Sequence, residues 1–185
     1  MRRPQLLMKR RTLEGVEPPA ICKRYTLRTY RAGDAAHWAR IISAAFRTEC
    51  SASVFRREIA GQDAFRPEGL FFVLYQGEPV GTATAWSKPE LGPQEGYVHM
   101  VAVVPQHTGK GLGKVLTAAV LAYLKEQGFR SAFLHTDDER LAAIKTYLEL
   151  GFEPVVESEG VRRRWVEVFR GLKRPDLSHK YCREE

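Results

Sequence analysis

Long apolar runs are missing from this sequence. A membrane-spanning helix takes roughly 18 or more consecutive apolar residues. The best window, VLTAAVLAYL from Val115 to Leu124, stops at Lys125 and Glu126. The opening MRRPQLLMKRR offers only LLM as an apolar stretch, too little for the hydrophobic segment of a secretory leader. Neither membrane insertion nor export is expected. Cysteine is scarce as well: Cys22, Cys50 and Cys182 are odd in number and scattered, which fits reduced thiols in a cytoplasmic protein. None of them has the spacing of a metal-ligand pair.

What is present is the composition of a folded domain. With 44% hydrophobic and 28% charged residues, wholesale disorder is excluded. A chain of 185 residues can bury one sizeable core, with at most an extension beside it. The net charge of +7 is unevenly placed. Residues 1–31 hold nine basic side chains (Arg2, Arg3, Lys9, Arg10, Arg11, Lys23, Arg24, Arg28, Arg31) against Glu14 and Glu17, so the remainder sums to zero. Such an arm is suited to solubility or to an acidic partner, but aromatic interleaving and a nucleic-acid recognition motif are lacking.

Residues 1–20, ending in EPPA, read as a flexible basic arm. ICKRYTLRTY alternates as a strand does, and Asp34 is placed to cap a helix over AAHWARIISAAFRTE. A shorter helix fits VFRREIAG. GLFFVLYQGEPVGTATAW is the clearest hairpin, turning near Gly77 and Glu78. YVHMVAVV is a strand that Pro105 ends, and the helix beyond the next glycines reaches Gln127 before Gly128. RSAFLHT is a strand; DDERLAAIKTYLELG is a helix capped by Asp137 or Asp138 and closed by Gly151. FEPVVE and RRWVEVF read as two final strands. Helices crossing over a mixed sheet make this an α/β or α+β layer fold of about six to seven strands and about four helices.

The joint VVPQHTGKGLG, Val103 to Gly113, gathers three glycines at the start of a helix, where converging N–H groups and the helix dipole favour an anion. It is not a P-loop, because Thr108 and Val115 stand where the first glycine and the hydroxyl belong. Nor is it a dinucleotide fingerprint, which would require glycine in place of Lys114. It resembles motif A of the GNAT superfamily of acyl-CoA N-acyltransferases, V-x-P-x-x-[Q/R]-G-x-G-x-G, at every position except Thr108. AIKTYLELGF, Ala143 to Phe152, resembles a second block of the family, A-x-x-x-Y-x-x-x-G-F.

That resemblance implies a single-domain GNAT-like fold over residues 21–170, a C-terminal tail over 171–185, and acetyl-CoA as co-substrate. It implies that the pyrophosphate sits on Thr108, Gly109, Lys110, Gly111, Leu112, Gly113 and Lys114. The pantetheine arm would lie along Val101, Ala102 and Val103, with the Val101 amide donating to the thioester carbonyl. Arg140 stands where many members carry Asn, and either reaches an acidic group of the co-substrate or is a surface arginine. Tyr147 falls on the tyrosine that serves the departing thiolate. HMVAV resembles the H-x-L-A-V strand of the arylalkylamine branch, which makes His99 either part of a proton path or a structural histidine. An imidazole near its ordinary pKa suits the first role. Tyr97, His99, Val101 and Val103 share one strand face by period two. Glu95 and Glu126 stay open as the base. The run HTDDE is read as a strand end and helix-start acids, not as a metal site.

The activity implied is direct attack by a primary amine of a small molecule or peptide on acetyl-CoA, since no cysteine lies in the matched blocks. Two rivals are a non-catalytic acyl-CoA-binding or regulatory protein and a basic nucleic-acid-binding module. The acceptor region, AFRTECSASVFRREIAGQDAF, carries no readable motif: its Arg47, Arg56 and Arg57 would suit an acidic small molecule or peptide terminus, whereas Phe46, Phe55 and, beyond it, Trp86 would line a site for an aromatic or aliphatic amine. Oligomerisation is common for this architecture, which leaves a homodimer open, but no interface is legible.

Overall fold

The computed structural model describes residues 3–182. They form two compact units, one of residues 12–132 and one that joins the N-terminal segment up to Arg11 to the chain from Phe133 onward.

In the first unit, alternation and turn chemistry build an antiparallel meander of β2 (Tyr25–Thr29), β3 (Leu70–Tyr75), β4 (Glu78–Ser87) and β5 (Glu95–Val103). Gln76 and Gly77 both have positive φ (50° and 85°), the backbone a two-residue hairpin requires. Every residue from Pro79 to Ala85 is buried, as in a strand covered on both faces. Helix α1 (Ala35–Phe46) packs on β4 and β5 through Trp38, Ile41 and Ile42. Helix α2 (Ala52–Phe55) is a single turn capped by Ser51 and continued by a π turn over Arg56–Ala60.

Helix α3 (Leu112–Glu126) packs against the same strands from the face to which Gly81 and Gly96 point. A Cβ on Gly96 would meet Leu124 at 2.7 Å, so the strand and helix approach more closely than a side chain allows. Leu116 and Val120 are fully buried there, each worth about 2 kcal/mol in apolar burial.

In the second unit, the strand order is β6 (Ser131–Thr136, whose first two residues belong to the other unit), β1 (Leu6–Arg10) and β7 (Glu153–Pro154). Helices α4 (Leu141–Glu149), α5 (Glu159–Gly171) and α6 (Pro175–Tyr181) complete it.

Seven strands and six helices among the described residues agree with the expected α/β class, with two more helices than expected. Three local readings are corrected. Residues 6–10 are a strand and not part of a loose arm: Leu6 and Met8 alternate inward, and Met8 pairs with Pro154. RRWVEVF is helical, because Trp165, Val168 and Phe169 fall at i, i+3 and i+4 and Ser158 caps the N-terminus. The expected tail contains α6, which buries Leu177.

Candidate active site

The register of β5 changes within the site. Thr84 lies opposite His99 and Thr82 opposite Ala102, so two steps on β4 span three on β5. The extra residue makes a bulge, and Met100 adopts φ +54°, a left-handed conformation that a non-glycine residue enters at a cost of about 1 kcal/mol or more. The bulge reverses the alternation. His99 shares a face with Thr84, whereas Val103 lies opposite Gly81 on the α3 side, within reach of Leu116. The expected common face for Tyr97, His99, Val101 and Val103 therefore breaks at Met100, and the backbone at Val101 is re-aimed.

Beyond β5, a 3₁₀ turn over Pro105–His107 leads into α3. It is pinned by the Tyr25 hydroxyl, 2.9 Å from His107 Nδ1, and by the Tyr75 ring, 5.0 Å from the imidazole. Gly109 and Gly111 have φ of +73° and +75°, so glycine suits both. Gly113 has no such requirement, and a Cβ there would touch nothing. A glycine inside a helix costs about 1 kcal/mol relative to alanine. Neither conformation nor packing within the chain accounts for it, and the bare helix start leaves room for a ligand to approach closely. The amides of Gly109, Lys110, Gly111, Leu112 and Gly113 have no acceptor among the described residues. Five successive unspent donors at the positive end of a 15-residue helix fit a pyrophosphate.

In the second unit, Tyr147 stands on α4 and is 4% exposed. Burial raises its pKa, against a smaller opposing effect of the Arg140 charge. The ring rests edge-on at 6.0 Å from Phe152, and the hydroxyl donates to no acceptor among the described residues. Tyr147 is a protonated phenol with an unspent donor.

The family model for the acetyltransferase (GNAT) family matches residues 35–152, which include the bulged strand, the five-amide turn and Tyr147. The chain belongs to the GNAT family. Among its relatives, mycothiol acetyltransferase of Rhodococcus opacus is 35% identical over 161 residues, covering 80% of this chain and 53% of that protein. The enzyme of the same name from Streptomyces scabiei is 34% identical, covering 80% and 50%. The chain thus spans about half the length of these curated relatives. The GCN5-related N-acetyltransferase of Sphaerobacter thermophilus superposes with a TM-score of 0.64 at 22% identity, over 83% of this chain and 50% of that one. The ribosomal-protein-S18-alanine N-acetyltransferase of Escherichia coli gives 0.59 at 21%, over 71% and 79%. At such identities the structures speak to the fold alone.

Within this GNAT chain, Thr108 is not an unspent donor: its amide and hydroxyl both donate to the Pro105 carbonyl, at 3.3 and 2.9 Å. Lys110 reaches back to the Gln106 carbonyl at 3.1 Å, which ties its charge to the turn. Lys114 is exposed in the first turn of α3. Arg140 is the N-cap residue of α4, so the cap expected of Asp137 or Asp138 is displaced. Asp138 instead accepts from Arg164 Nε at 2.9 Å, a bond that holds its carboxyl below the usual range.

His99 differs most from expectation. Burial first, and the Lys88 charge second, lower its pKa to about 4. The Trp86 and Tyr97 rings lie 5.5 and 5.8 Å from the imidazole, and the Lys88 ammonium sits 3.9 Å over Tyr97. No motif marks Tyr97 or Lys88 as a site residue, and Trp86 is expected only as a lining aromatic. The signal was available: strands paired across a hairpin bring the end of β4 beside the start of β5, Trp86 facing Tyr97.

Proposed function

We propose that this GNAT protein transfers an acetyl group from acetyl-CoA to a primary amine by direct attack. The observation that carries the reading is the turn of five unspent amides at the start of α3, beside a strand bulged at Met100. Acetyl-CoA supplies the acyl group as a thioester. In the proposal, the amides of Gly109 to Gly113 hold the pyrophosphate, with Lys114 and the α3 dipole adding positive potential. Arg140 adds charge near the phosphates. The edge from Val101 to Val103 pairs with the pantetheine amides as an added strand would, and the Val101 amide faces the carbonyl oxygen, where charge develops.

Tyr147 donates a hydrogen bond to the departing sulfur. Its raised pKa keeps the proton on the phenol at pH 7, as that role needs. His99, neutral at that pH, accepts a hydrogen bond from the incoming amine and orients its lone pair, while the ammonium proton leaves to solvent. Relatives named mycothiol acetyltransferase support a small-molecule acceptor. The reading includes a cytoplasmic location, to which the unpaired Cys22, Cys50 and Cys182 are suited. No helix among the described residues is long and apolar enough to cross a membrane.

The test combines calorimetric titration with acetyl-CoA and a panel of amines followed by mass spectrometry. Binding together with acetylation of at least one amine is expected. Tyr147→Phe should lower kcat at least about tenfold with acetyl-CoA affinity nearly unchanged. Absence of acetyl-CoA binding would overturn the reading. Binding without transfer to any amine would favour a non-catalytic acyl-CoA-binding protein, toward which the spent donors of Thr108 already lean.

A further inference from the structure

The cation beside His99 is difficult to reconcile with an arbitrary amine as acceptor. Lys88 closes the end of β4, is only part-exposed, and has no carboxylate partner among the described residues. Its ammonium is held over the Tyr97 ring at 3.9 Å, and that ring lies 5.8 Å from the His99 ring. The charge is therefore no farther from the imidazole than those two separations combined. Tyr97 and His99 stand on one face of β5, ahead of the bulge. Trp86, facing Tyr97 from β4 and tilted over His99 at 5.5 Å, completes an aromatic wall with the Lys88 charge at its rim.

A simple monoamine arrives as an ammonium ion, and a like charge on this wall repels it. An amine that carries its own anionic group a few bonds away meets a counter-charge instead. The same positive potential also favours the neutral, nucleophilic form of the bound amine, as it favours neutral His99.

Resting on the acetyl-transfer reading above, we infer that Lys88 is the acceptor-specificity residue, and that the acceptor is a primary amine bearing a carboxylate or a phosphate. The part-exposed Trp86 ring accommodates the body of that molecule, backed by the buried Tyr97. Lys88 pairs with the anion, and the amine is left beside His99. A lysine is suited to either anion, being a compact charge without the bidentate fork that would select one of them. Arg57, which looked available for an acidic acceptor in the sequence, is already engaged with Glu58 at 2.6 Å.

The experiment uses matched probes on the full chain: L-phenylalanine against its methyl ester, and O-phosphoethanolamine against ethanolamine. Binding is read by tryptophan fluorescence in the presence of CoA, and acetyl transfer is read separately. The wild-type protein is expected to favour at least one anionic member over its neutral partner by about tenfold. The carboxylate and phosphate arms identify the anion. In Lys88→Met that ratio should fall to about one, and in Lys88→Arg it should persist. Raising the salt concentration should shrink it in the wild type. A wild-type preference below twofold in both arms, or a ratio unchanged in Lys88→Met, would overturn the inference. Discrimination in binding without any transfer would support the role of Lys88 while counting against acetyl transfer itself.

Discussion

At the residue scale, His99 and Thr108 show why a motif match and a chemical role are separate matters. An imidazole whose pKa has fallen to about 4 is neutral throughout the physiological range and is a weak base. The acidic limb of kcat/KM between about pH 6 and 9 should then report the amine substrate, and His99→Ala should leave its midpoint in place while lowering the plateau. A limb with a midpoint near 6.5 that disappears in His99→Ala would return the residue to general base. Thr108 occupies the family's Gln/Arg position, but its donors are turned onto the Pro105 carbonyl. Thr108→Ala should cost about 1 kcal/mol or less in acetyl-CoA affinity, the net worth of one neutral hydrogen bond within the turn. A loss of several kcal/mol in calorimetry would mean that the hydroxyl contacts the ligand after all. Met100 marks the limit of residue-level reading. Methionine gives no hint of a positive φ, and the bulge that reverses the faces of β5 is enforced by pairing with β4.

At the element scale, legibility followed local chemistry. The β3–β4 hairpin, α3 ending before Gly128, and α4 closed by Gly151 were readable because turn glycines and periodic apolar positions agreed. Both of those glycines have positive φ, at 86° and 79°. The same holds for the five-amide turn, whose spacing carries its backbone geometry. Two elements were hidden by conflicting signals. In β1 the inward pair Leu6 and Met8 is embedded in basic residues, so charge obscured a two-residue alternation. In α5, Trp165, Val166, Val168 and Phe169 are residue types common in strands, and they also satisfy helical spacing. The deciding cue was Ser158, whose hydroxyl accepts from the Val161 amide at 3.3 Å, followed by Glu159 paired with Arg163 at 2.9 Å. Ser158→Ala should therefore destabilise the protein by about 1 kcal/mol in chemical denaturation, with a loss of helical circular dichroism near the transition. Ser158→Gly should cost only a few tenths. Equal stability in all three proteins would remove the cap from the energetics of α5.

At the scale of the whole molecule, charge is better placed by the structure than by the sequence. Several cations of the basic N-terminal stretch serve the fold. Lys9 lies 4.6 Å over the Phe133 ring, Arg10 donates to the Leu150 carbonyl, Arg11 pairs with Glu153, and Arg28 pairs with Asp34. These engagements leave less of the +7 for an acidic partner. They also fix the order of events as pH falls. Burial opposes ionisation of Asp34, but the Arg28 guanidinium and the Arg31 amide outweigh it and hold the carboxyl below its ordinary value. Asp138 is held low by Arg164. A carboxylate with a lowered folded pKa stabilises above its unfolded value and loses that contribution as pH falls through the folded one, here below 3.8. His99 acts earlier. Its folded pKa of about 4 lies below the ordinary 6.5, so between those values the unfolded chain binds the proton more readily. Stability should thus decline from about pH 6.5 to about pH 4, by at most about 3 kcal/mol, before the carboxylates contribute. His99→Gln removes the titrating group and should flatten the profile across that window, leaving the steeper loss below pH 4 in both proteins. Urea midpoints measured at half-unit pH intervals decide the matter: the same slope between pH 6.5 and 4 in wild type and variant would show that His99 is not held neutral by the fold.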